Sequence, residues 1–484
     1  MASELFVSRV GFQTWAAVTE QGRLAEIRIE HRDHRSRVGD VVTARVKKVA
    51  TNIDAVFVDI GDERDAFLAA SELVLPAELE RGGASADRPV FERVAPGHEI
   101  IVQIEREPTG AKGARVTGYL DLPGRHLVYH PFSEERTVAS RIVDVSERER
   151  LLTVVRGLPQ PGGFVVRTVG EGAPEKVFRA EAAALAETWS EILNGAARAT
   201  APALLHRDLD LPRRTLRDLD WADLDRVRVD DAEIREALVA YTRLLDPATR
   251  LRIDHHEGPA PLFRAVGVDR DLRRALRPQV WLRSGAHLVI EQTEALVSID
   301  VNTGRSGGRR PANETAVRIN LEAAEEIARQ IRLRDLGGTI VIDFIDMHGP
   351  GECEKVRELL ARAMRRDRAR TRIVGMSDEG VVQIARRRSR AGLDGALTRA
   401  CPTCSGHGRV RSPATVAGSA IVELRRLLAV PAGARITVRA HPDVADELRR
   451  VLAAGVEPGI ESGRVDVVSD ESLHPERFRL IPGS

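Results

Sequence analysis

The sequence is poor in cysteine and in long apolar runs, and both shortages exclude classes of protein. Three cysteines in 484 residues, two of them in one Cys-x-x-Cys, cannot form a disulfide scaffold and favour a reducing cytoplasm. No apolar run approaches the length of a membrane span, and the N-terminus lacks the basic and apolar segments of an export signal. We therefore expect a cytoplasmic protein.

The composition is that of a folded protein with several domains. Apolar residues make up 43% of the chain and charged residues 30%, which describes a globular protein rather than a disordered one. A chain of 484 residues is too long for a single core, so we expect three or more domains.

Lysine is also scarce, which leaves arginine as the main cation. Only five of the 73 basic residues are lysine, a bias that genomic base composition explains, and the net charge of +1 does not by itself predict a nucleic-acid partner. The distribution of charge along the chain is more informative, because residues 360–390 contain ten arginines and only three acids, Asp367, Asp378 and Glu379. Backbone phosphates attract such a patch.

The periodicity of apolar residues divides the chain into strand-rich and helical parts. Short strands joined by glycine turns between residues 38 and 104 predict a small closed barrel such as an OB-fold. Further strands are predicted at 4–9, 14–18, 23–29, 125–129, 141–145, 163–168, 286–301 and 339–346. Helices are predicted at 175–193, 231–245, 314–334 and 352–370.

Two carboxylates, Asp300 and Asp343, each lie in an apolar strand-like run, and one amphipathic helix separates them. An ionised acid in a buried strand requires a metal or a partner to offset its desolvation. Strand–helix–strand geometry brings the two acids together, whereas Asp346 faces the other way from Asp343 in a regular strand. Two carboxylates with an open side fit Mg²⁺ and phosphodiester chemistry, with Asn302 placed to orient an oxygen or donate a hydrogen bond.

A purely structural interpretation of these acids stays open. In it Asp300 caps the following turn and Asp343 pairs with an arginine of the core. A calcium loop beginning at Asp300 is excluded, because its twelfth position, which requires glutamate, is Pro311. The glycines that follow Asn302 allow close approach of the backbone.

The Cys-x-x-Cys at Cys401 and Cys404 continues as Ser-Gly-His-Gly, which is typical of a zinc knuckle and is a poor start for a helix. Structural zinc requires four ligands. We consider a Cys₄ site shared with a second chain, a site that adds His407 and another ligand, and an inert or redox-active pair. Cys353 lies on a predicted helix.

Nine segments in order resemble the ribonuclease E/G family, closest to its shorter, G-type members. They include Ser-Ile-Asp-Val-Asn-Thr-Gly at 298–304, Ile-Asp-Phe-Ile-Asp-Met at 342–347 and Cys-Pro-Thr-Cys at 401–404, and it is their occurrence together in order that is specific. The others are 55–61, 112–115, 163–168, 320–324, 331–338 and 367–370. Because the sequence ends at residue 484, we expect no long disordered tail.

The resemblance implies an Mg²⁺-dependent endoribonuclease that cuts single-stranded A/U-rich RNA and leaves 5′-phosphate and 3′-hydroxyl ends, in rRNA processing and mRNA turnover. It implies a zinc ion shared between the subunits of a homodimer, with assembly into tetramers. The site residues that it implies are Asp300 and Asp343 for Mg²⁺, Asn302 beside them, Cys401 and Cys404 for Zn²⁺, Val128 (through its backbone), Arg167 and Thr168 for a 5′-monophosphate, and Phe57, Phe67 and Lys112 for RNA.

The same resemblance implies a multidomain α+β fold. Its parts are an RNase-H-like subdomain at 1–34 and 213–275, an OB-fold at 35–119, a 5′-sensor domain at 120–212, a DNase-I-like α/β catalytic domain at 276–398, a zinc link at 399–413 and a small C-terminal α/β domain at 414–484.

Each of the RNA-contacting residues also has an ordinary structural explanation. The two phenylalanines would belong to the barrel core, Arg167 would be an exposed strand arginine, Lys112 a solvated turn lysine, and Arg370 would either contact the RNA backbone or extend a charged helix. The mechanism that we expect is in-line attack on the phosphorus by a metal-activated water, and no general base stands out.

The stretch 377–386 departs from the family pattern, with two added acids and a missing glutamate, and His407 could alter the zinc shell. These departures leave the metal pair intact. The alternative function is a catalytically weak RNA-binding assembly factor that uses the same surfaces, and a DNA-directed nuclease is a third possibility.

Overall fold

The computed structural model describes residues 3–31, 35–75, 90–108, 112–246, 249–304, 312–377, 379–388, 392–428, 435–455, 460 and 462–483. The chain divides into two units, Met1–Ala396 and Leu397–Ser484. Four hydrophobic clusters lie in the first unit and one in the second. No helix in these ranges is long and apolar enough to cross a membrane.

The strands, in chain order, are β1 Ser3–Val10, β2 Gln13–Glu20, β3 Arg23–His31, β4 Val41–Ala50, β5 Ala55–Asp59, β6 Ala66–Ala69, β7 Glu99–Arg106, β8 Arg115–Thr117, β9 Leu122–Pro123, β10 Leu127–His130, β11 Arg136–Val138, β12 Gly163–Val166, β13 Ala203–His206, β14 Leu224–Val229, β15 Arg252–His255, β16 Gln279–Trp281, β17 His287–Gln292, β18 Leu296–Asn302, β19 Gly338–Asp343, β20 Thr371–Met376, β21 Val381–Arg386, β22 Ile436–Ala440, β23 Val465–Ser469 and β24 Phe478–Pro482.

The helices are α1 Val90–Arg93, α2 Val145–Arg156, α3 Glu175–Ala196, α4 Leu211–Asp218, α5 Ala232–Leu245, α6 Leu262–Ala265, α7 Val268–Ala275, α8 Ala312–Leu333, α9 Pro350–Met364, α10 Leu393–Leu397, α11 Pro413–Leu428 and α12 Pro442–Ala453. Short 3₁₀ turns occur at Ala70–Glu72, Thr168–Gly170 and Ser462–Arg464.

The N-terminal sheet joins two segments that are far apart in sequence. Strands β1, β2 and β3 form an antiparallel meander, and β14 and β15 add in parallel beside β1 to give the order β15-β14-β1-β2-β3. Helices α4 and α5 cover it through Leu211, Leu216 and Leu238. The chain from β4 to β13 is therefore inserted into this sheet.

The inserted barrel confirms the prediction of a small closed OB-like fold. Its strands follow the order β4-β5-β6-β8-β7, and pairing of β4 with β7 closes it. Alternation sends Val56, Val58 and Leu68 into the core. The sequence did not predict that β13 pairs with the barrel strand β4 as a sixth strand.

The strand predicted at 141–145 is wrong. After a turn, α2 begins at Val145, with the carboxylate of Asp144 accepting a hydrogen bond of 2.8 Å from the N–H of Glu147. The β-branched residues of this segment predicted a strand, but an aspartate followed by an acid three residues later begins a helix. Helix α2 packs with α3 against a four-stranded sheet of order β11-β12-β10-β9.

A six-stranded sheet of order β16-β17-β18-β19-β21-β20 carries the two central acids. Only β18 and β19 are parallel, and α8 connects them as a crossover. Helices α8 and α9 cover one face, where Ile319, Ala323 and Leu360 meet Ile299 and Ile342. The opposite face carries the exposed residues of the strands.

Three boundaries in this region differ from prediction. The strand predicted at 286–301 is a hairpin of β17 and β18, and the strand predicted at 339–346 ends at Asp343. The helix predicted at 352–370 ends at Met364. It ends early because Asp367 turns inward, where it is 2% exposed, and accepts hydrogen bonds of 2.7 and 3.0 Å from Arg386.

In its described residues, the second unit contains three strands and two long helices. Strand β22 pairs in parallel with β23 and antiparallel with β24. Helices α11 and α12 pack on this sheet through Val416, Leu424, Val444 and Leu448. The Cys-x-x-Cys turn comes before α11 and starts no helix.

Candidate active site

Asp300 and Asp343 are direct neighbours on adjacent parallel strands. The register pairs Asp300 of β18 with Asp343 of β19, and parallel strands lie about 4.8 Å apart. Side chains in register on neighbouring strands point to the same face. The structure therefore brings together the two acids that the sequence singled out.

Both acids are exposed, which corrects the premise that they are buried. Alternation along the strands turns Ile299, Val301 and Ile342 toward α8 and turns the acids to the open face. Desolvation therefore gives no argument for a metal here. Asp343 is exposed and, among the described residues, forms no ion pair with an arginine, so the explanation as a pair in the core is wrong.

Asn302 fixes the position of the Asp300 carboxylate. Two residues further along β18, and therefore on the same face, its Nδ2 donates a hydrogen bond of 2.6 Å to Oδ2 of Asp300. The strand ends at Asn302, and two residues later Gly304 has a φ of +61°, where an added Cβ would lie 2.3 Å from the carbonyl oxygen of Gly285. Only glycine fits this position.

The chain after Asp343 is held by a residue whose role the sequence analysis missed. Asn320, which is fully buried on α8, donates a hydrogen bond of 2.7 Å from Nδ2 to the carbonyl of Ile345 and accepts one of 3.1 Å from its N–H. The strand ends at Asp343, so strand alternation does not decide the direction of Asp346. An asparagine inside the apolar stripe of a helix, where its propensity is poor, is the signal that points to such a contact.

Two carboxylates and one amide fit a magnesium ion. No group of three or more His, Cys, Asp and Glu side chains suited to a metal occurs within the described ranges. Mg²⁺ is usually held by one or two carboxylates, with water and substrate phosphate completing its shell. The donor set at Asp300 and Asp343 therefore suits Mg²⁺ rather than a metal that requires a closed protein cage.

Phe57 and Phe67 lie on the outside of the barrel, so the core explanation is wrong. They face each other in register on β5 and β6, with ring centroids 6.0 Å apart at an interplanar angle of 76°. Both are half-buried, and their neighbours Val56 and Leu68 fill the core instead. Exposed Lys112 follows close by, since Ala114 accepts a backbone hydrogen bond of 2.7 Å from Phe67.

Arg167 is not an ordinary exposed arginine. Its Nη1 donates a hydrogen bond of 2.6 Å to the carbonyl of Gly124, and its Nη2 donates one of 2.8 Å to Asp218. Burial raises the pKa of Asp218, but Arg217, Arg167 and Arg28 together hold that pKa well below its usual value. Thr168 next to it is exposed, and Val128 pairs with Val165 on β10 and β12.

The arginine-rich segment contributes to structure as well as to charge. A cleft of about 740 Å³ where β3, β7 and residues 367–370 and 386–388 meet is lined by nine arginines and six acids. Arg386 is committed to Asp367 and, at 2.7 Å, to Asp335. Exposed Arg370 follows the end of α9, so it does not extend that helix.

The second part of the atypical segment 377–386 is a strand. Residues 381–386 form β21, which pairs along its length with β19 and also with β20. Asp378, Pro311 and residues 305–308 of the glycine loop lie outside the described residues.

The Cys-x-x-Cys forms a tight turn in the second unit. The N–H of Gly408 donates to Sγ of Cys404 at 3.2 Å, and backbone hydrogen bonds from Cys404 and Thr403 lower the pKa of the Cys401 thiol. A lowered thiol pKa favours the thiolate that binds metal. This turn offers two sulfur ligands of the four that structural zinc requires, and His407 is exposed beside them.

Comparisons with known proteins agree on one family. The model of the ribonuclease E/G family matches residues 121–389. Ribonuclease G of Escherichia coli K12 is 38% identical over 453 residues, which are 93% of each chain. Ribonuclease G of Haemophilus influenzae is 34% identical over 99% of each chain, and ribonuclease E of a Nostoc species is 38% identical over 82% of this chain and 58% of its own.

Proposed function

The chain belongs to the ribonuclease E/G family and is an endoribonuclease, and we propose that it uses Mg²⁺ to cut single-stranded A/U-rich RNA. The products would carry 5′-phosphate and 3′-hydroxyl ends, and the reactions would serve rRNA processing and mRNA turnover in the cytoplasm. The observation that carries this proposal is the in-register pair of Asp300 and Asp343 on an open sheet face.

Each of the four polar residues at the site has a separate proposed role. Asp300 and Asp343 would hold Mg²⁺, which when bound polarises a phosphoryl oxygen and lowers the pKa of a bound water. Asn302 orients Asp300 through the hydrogen bond of 2.6 Å and keeps its own amide oxygen available to substrate or solvent. Asn320 keeps the segment after Asp343 in place.

The outer surface of the barrel would grip the RNA beside the cut. The edge-to-face rings of Phe57 and Phe67 expose apolar surface on which bases can stack, a contact worth roughly 1–3 kcal/mol per base without sequence preference. Lys112 would add a phosphate contact, and Arg370 would contact the RNA backbone from the catalytic part.

A 5′-monophosphate would bind at Val128, Arg167 and Thr168. Each Nη of Arg167 carries a second N–H beyond the bonds to Gly124 and Asp218, so the guanidinium can meet a phosphate without releasing Asp218. The exposed Thr168 hydroxyl would donate beside it.

The domain scheme and the assembly belong to the same proposal. The order β15-β14-β1-β2-β3 suits an RNase-H-like subdomain interrupted by the barrel and the 5′-sensor domain, and the sheet from β16 to β21 would be the DNase-I-like domain. Cys401 and Cys404 would share Zn²⁺ with the same pair of a second subunit, giving a homodimer that can assemble further into a tetramer.

The test is cleavage of a fluorescent, 5′-monophosphorylated single-stranded oligoribonucleotide with mapped ends. Wild type should cut with Mg²⁺ and not with EDTA, and Asp300→Asn should not cut. Asp225→Asn, which removes an exposed carboxylate from β14 of the N-terminal sheet, should cut like wild type. Tight binding without cleavage at any Mg²⁺ concentration would instead identify an RNA-binding assembly factor, and equal cleavage of a matched DNA would contradict the preference for RNA.

A further inference from the structure

The open face of the catalytic sheet continues past the acids to an aromatic pair at its edge. The register places Asn302 of β18 opposite His287 of β17, and His287 opposite Trp281 of β16. Residues in register on successive strands share one face. Trp281, His287 and Asn302 therefore form one row, on the same face as Asp300 and Asp343.

Trp281 is exposed to an unusual degree. Its surface is 63% exposed, whereas tryptophan is usually mostly buried, and the other three tryptophans of the chain are half-buried. Its ring centroid lies 5.1 Å from that of His287, at an interplanar angle of 44°. A large apolar ring held against a second ring in solvent is a surface suited to a flat ligand.

His287 supports the exposed ring of Trp281 from the neighbouring strand. The histidine is half-buried, and its Nδ1 is covered by protein. The buried side of its ring therefore anchors the pair, while the ring of Trp281 remains in solvent. The row thus offers a stacking surface that is held in place by the sheet.

We propose that Trp281 and His287 form an edge platform that stacks a nucleobase of the RNA strand whose scissile phosphate lies at Asp300 and Asp343. This inference rests on the proposed function. Two strand spacings separate Trp281 from Asn302, about 10 Å between their backbones, so the stacked base belongs to a nucleotide near the cut. The platform lies on the opposite side of Asp300 from Asp343, because β16 and β17 flank β18 and β19 flanks its other edge.

The physical case favours a base over other occupants. Stacking on aromatic rings requires no particular sequence, as suits an enzyme that acts on many RNAs. The platform is continuous with the face that carries the acids, so a strand lying across that face reaches it. A second protein copy that extended the sheet would pair with β16, an edge strand of only three residues that offers few backbone hydrogen bonds.

Binding measurements separate the platform from the rest of the site. With Asp300→Asn as the background to prevent cleavage, Trp281→Ala should weaken binding of a single-stranded oligoribonucleotide by roughly 5- to 150-fold, the range expected for one lost base stack. Trp281→Phe should retain most of the affinity. Phe12→Ala is the matched control, since Phe12 is 62% exposed and its ring lies 5.6 Å from that of His31 on the N-terminal sheet.

A scan with single abasic nucleotides locates the stacked base. In cleavage by the otherwise wild-type enzyme, one abasic position near the cut should lower kcat/KM, and Trp281→Ala should remove the sensitivity to that position alone. Trp281 fluorescence should be quenched on RNA binding, and the Trp281→Phe protein should lose that change. If wild type cuts normally while Trp281→Ala binds and cuts like Phe12→Ala, with the same abasic profile, the platform is disproved and the nuclease assignment stands. If wild type cuts no RNA, the proposed function itself fails.

Discussion

Asn320 offers the most direct test of how the fold positions the acids. Asn320→Leu keeps the volume of the side chain but removes both hydrogen bonds to the backbone of Ile345. A buried N–H or C=O left without a partner costs roughly 1–3 kcal/mol. Because Ile345 is half-buried and water can reach it, we expect the lower part of the summed range, about 2–3 kcal/mol.

The loss of stability should be confined to the segment that follows Asp343, so the assay must report on that segment. Several domains make a single unfolding transition unsuitable for this chain. Hydrogen exchange in a peptide covering residues 340–348 reports the segment directly, and opening that is easier by 2–3 kcal/mol should raise its exchange rate by roughly 30- to 150-fold.

Asn320→Leu should also lower kcat, whereas the affinity for RNA should stay close to that of wild type. The segment begins at Asp343, and a displacement of the acid by about 1 Å can lower the rate by about 100-fold. Asn194→Leu, at an exposed position of α3, is the control for an asparagine lost from a helix. If Asn320→Leu leaves both the exchange rate and kcat within about twofold of wild type, the sheet alone holds Asp343 and our reasoning about α8 is refuted.

Three further predictions concern the turn at Gly304, the barrel surface and the knuckle. Gly304→Ala should lower both the stability and kcat, because the position combines a positive φ with a contact of 2.3 Å to an added Cβ. Gly285→Ala, where φ is +86° and the added Cβ meets no atom, should cost only the backbone strain of about 1–2 kcal/mol. Equal shifts of the melting temperature for the two variants would rule out the steric argument. Phe67→Ala should weaken RNA binding by roughly 5- to 150-fold in a filter-binding assay, with little change in the melting temperature. A large loss of stability with unchanged RNA affinity would show that the ring has a structural role instead. Zinc chelation, or Cys401→Ser with Cys404→Ser, should halve the mass measured by light scattering, and an unchanged mass would exclude the shared zinc.

The proximity of Asp300 and Asp343 was predictable because it follows from local rules. Two apolar runs joined by one long helix predict parallel strands with a crossover between them, and such strands are often neighbours. Their exposure was not predictable in the same way. The apolar flanks suggested strands buried on both faces, whereas in the part of the chain that the structure describes helices cover one face of this sheet and leave the acids exposed on the other.

The functions of individual arginines could not be separated by sequence. Ten positive charges in residues 360–390 suggest a phosphate-binding surface. In the fold, Arg386 is 5% exposed and holds Asp367 and Asp335 in a buried network, whereas Arg370 faces solvent. Sequence shows the charge, but the partner of each guanidinium depends on contacts made by distant segments.

The edge platform was missed for a related reason. Trp281 and His287 stand six residues apart, and neither lies in a motif that resembles the family. Only the register of the β16–β17 hairpin brings the two rings together, and the pairing of β17 with β18 places them beside Asn302. Register depends on the turn at 283–285, which is held by Glu322 of α8 accepting 2.6 and 3.3 Å hydrogen bonds from the backbone of the turn.

One helix, α8, therefore connects the parts of the catalytic sheet that sequence left separate. Asn320 of α8 holds the segment after one acid, and Glu322 holds the turn that sets the register of the strands beside the other. At its far end Arg332, 6% exposed at its side chain, binds Glu20 of the N-terminal sheet through two hydrogen bonds of 2.6 and 2.9 Å. Because a buried arginine–carboxylate pair is costly to break, the N-terminal sheet resists any shift of α8, and with it any shift of the acids, without touching the substrate.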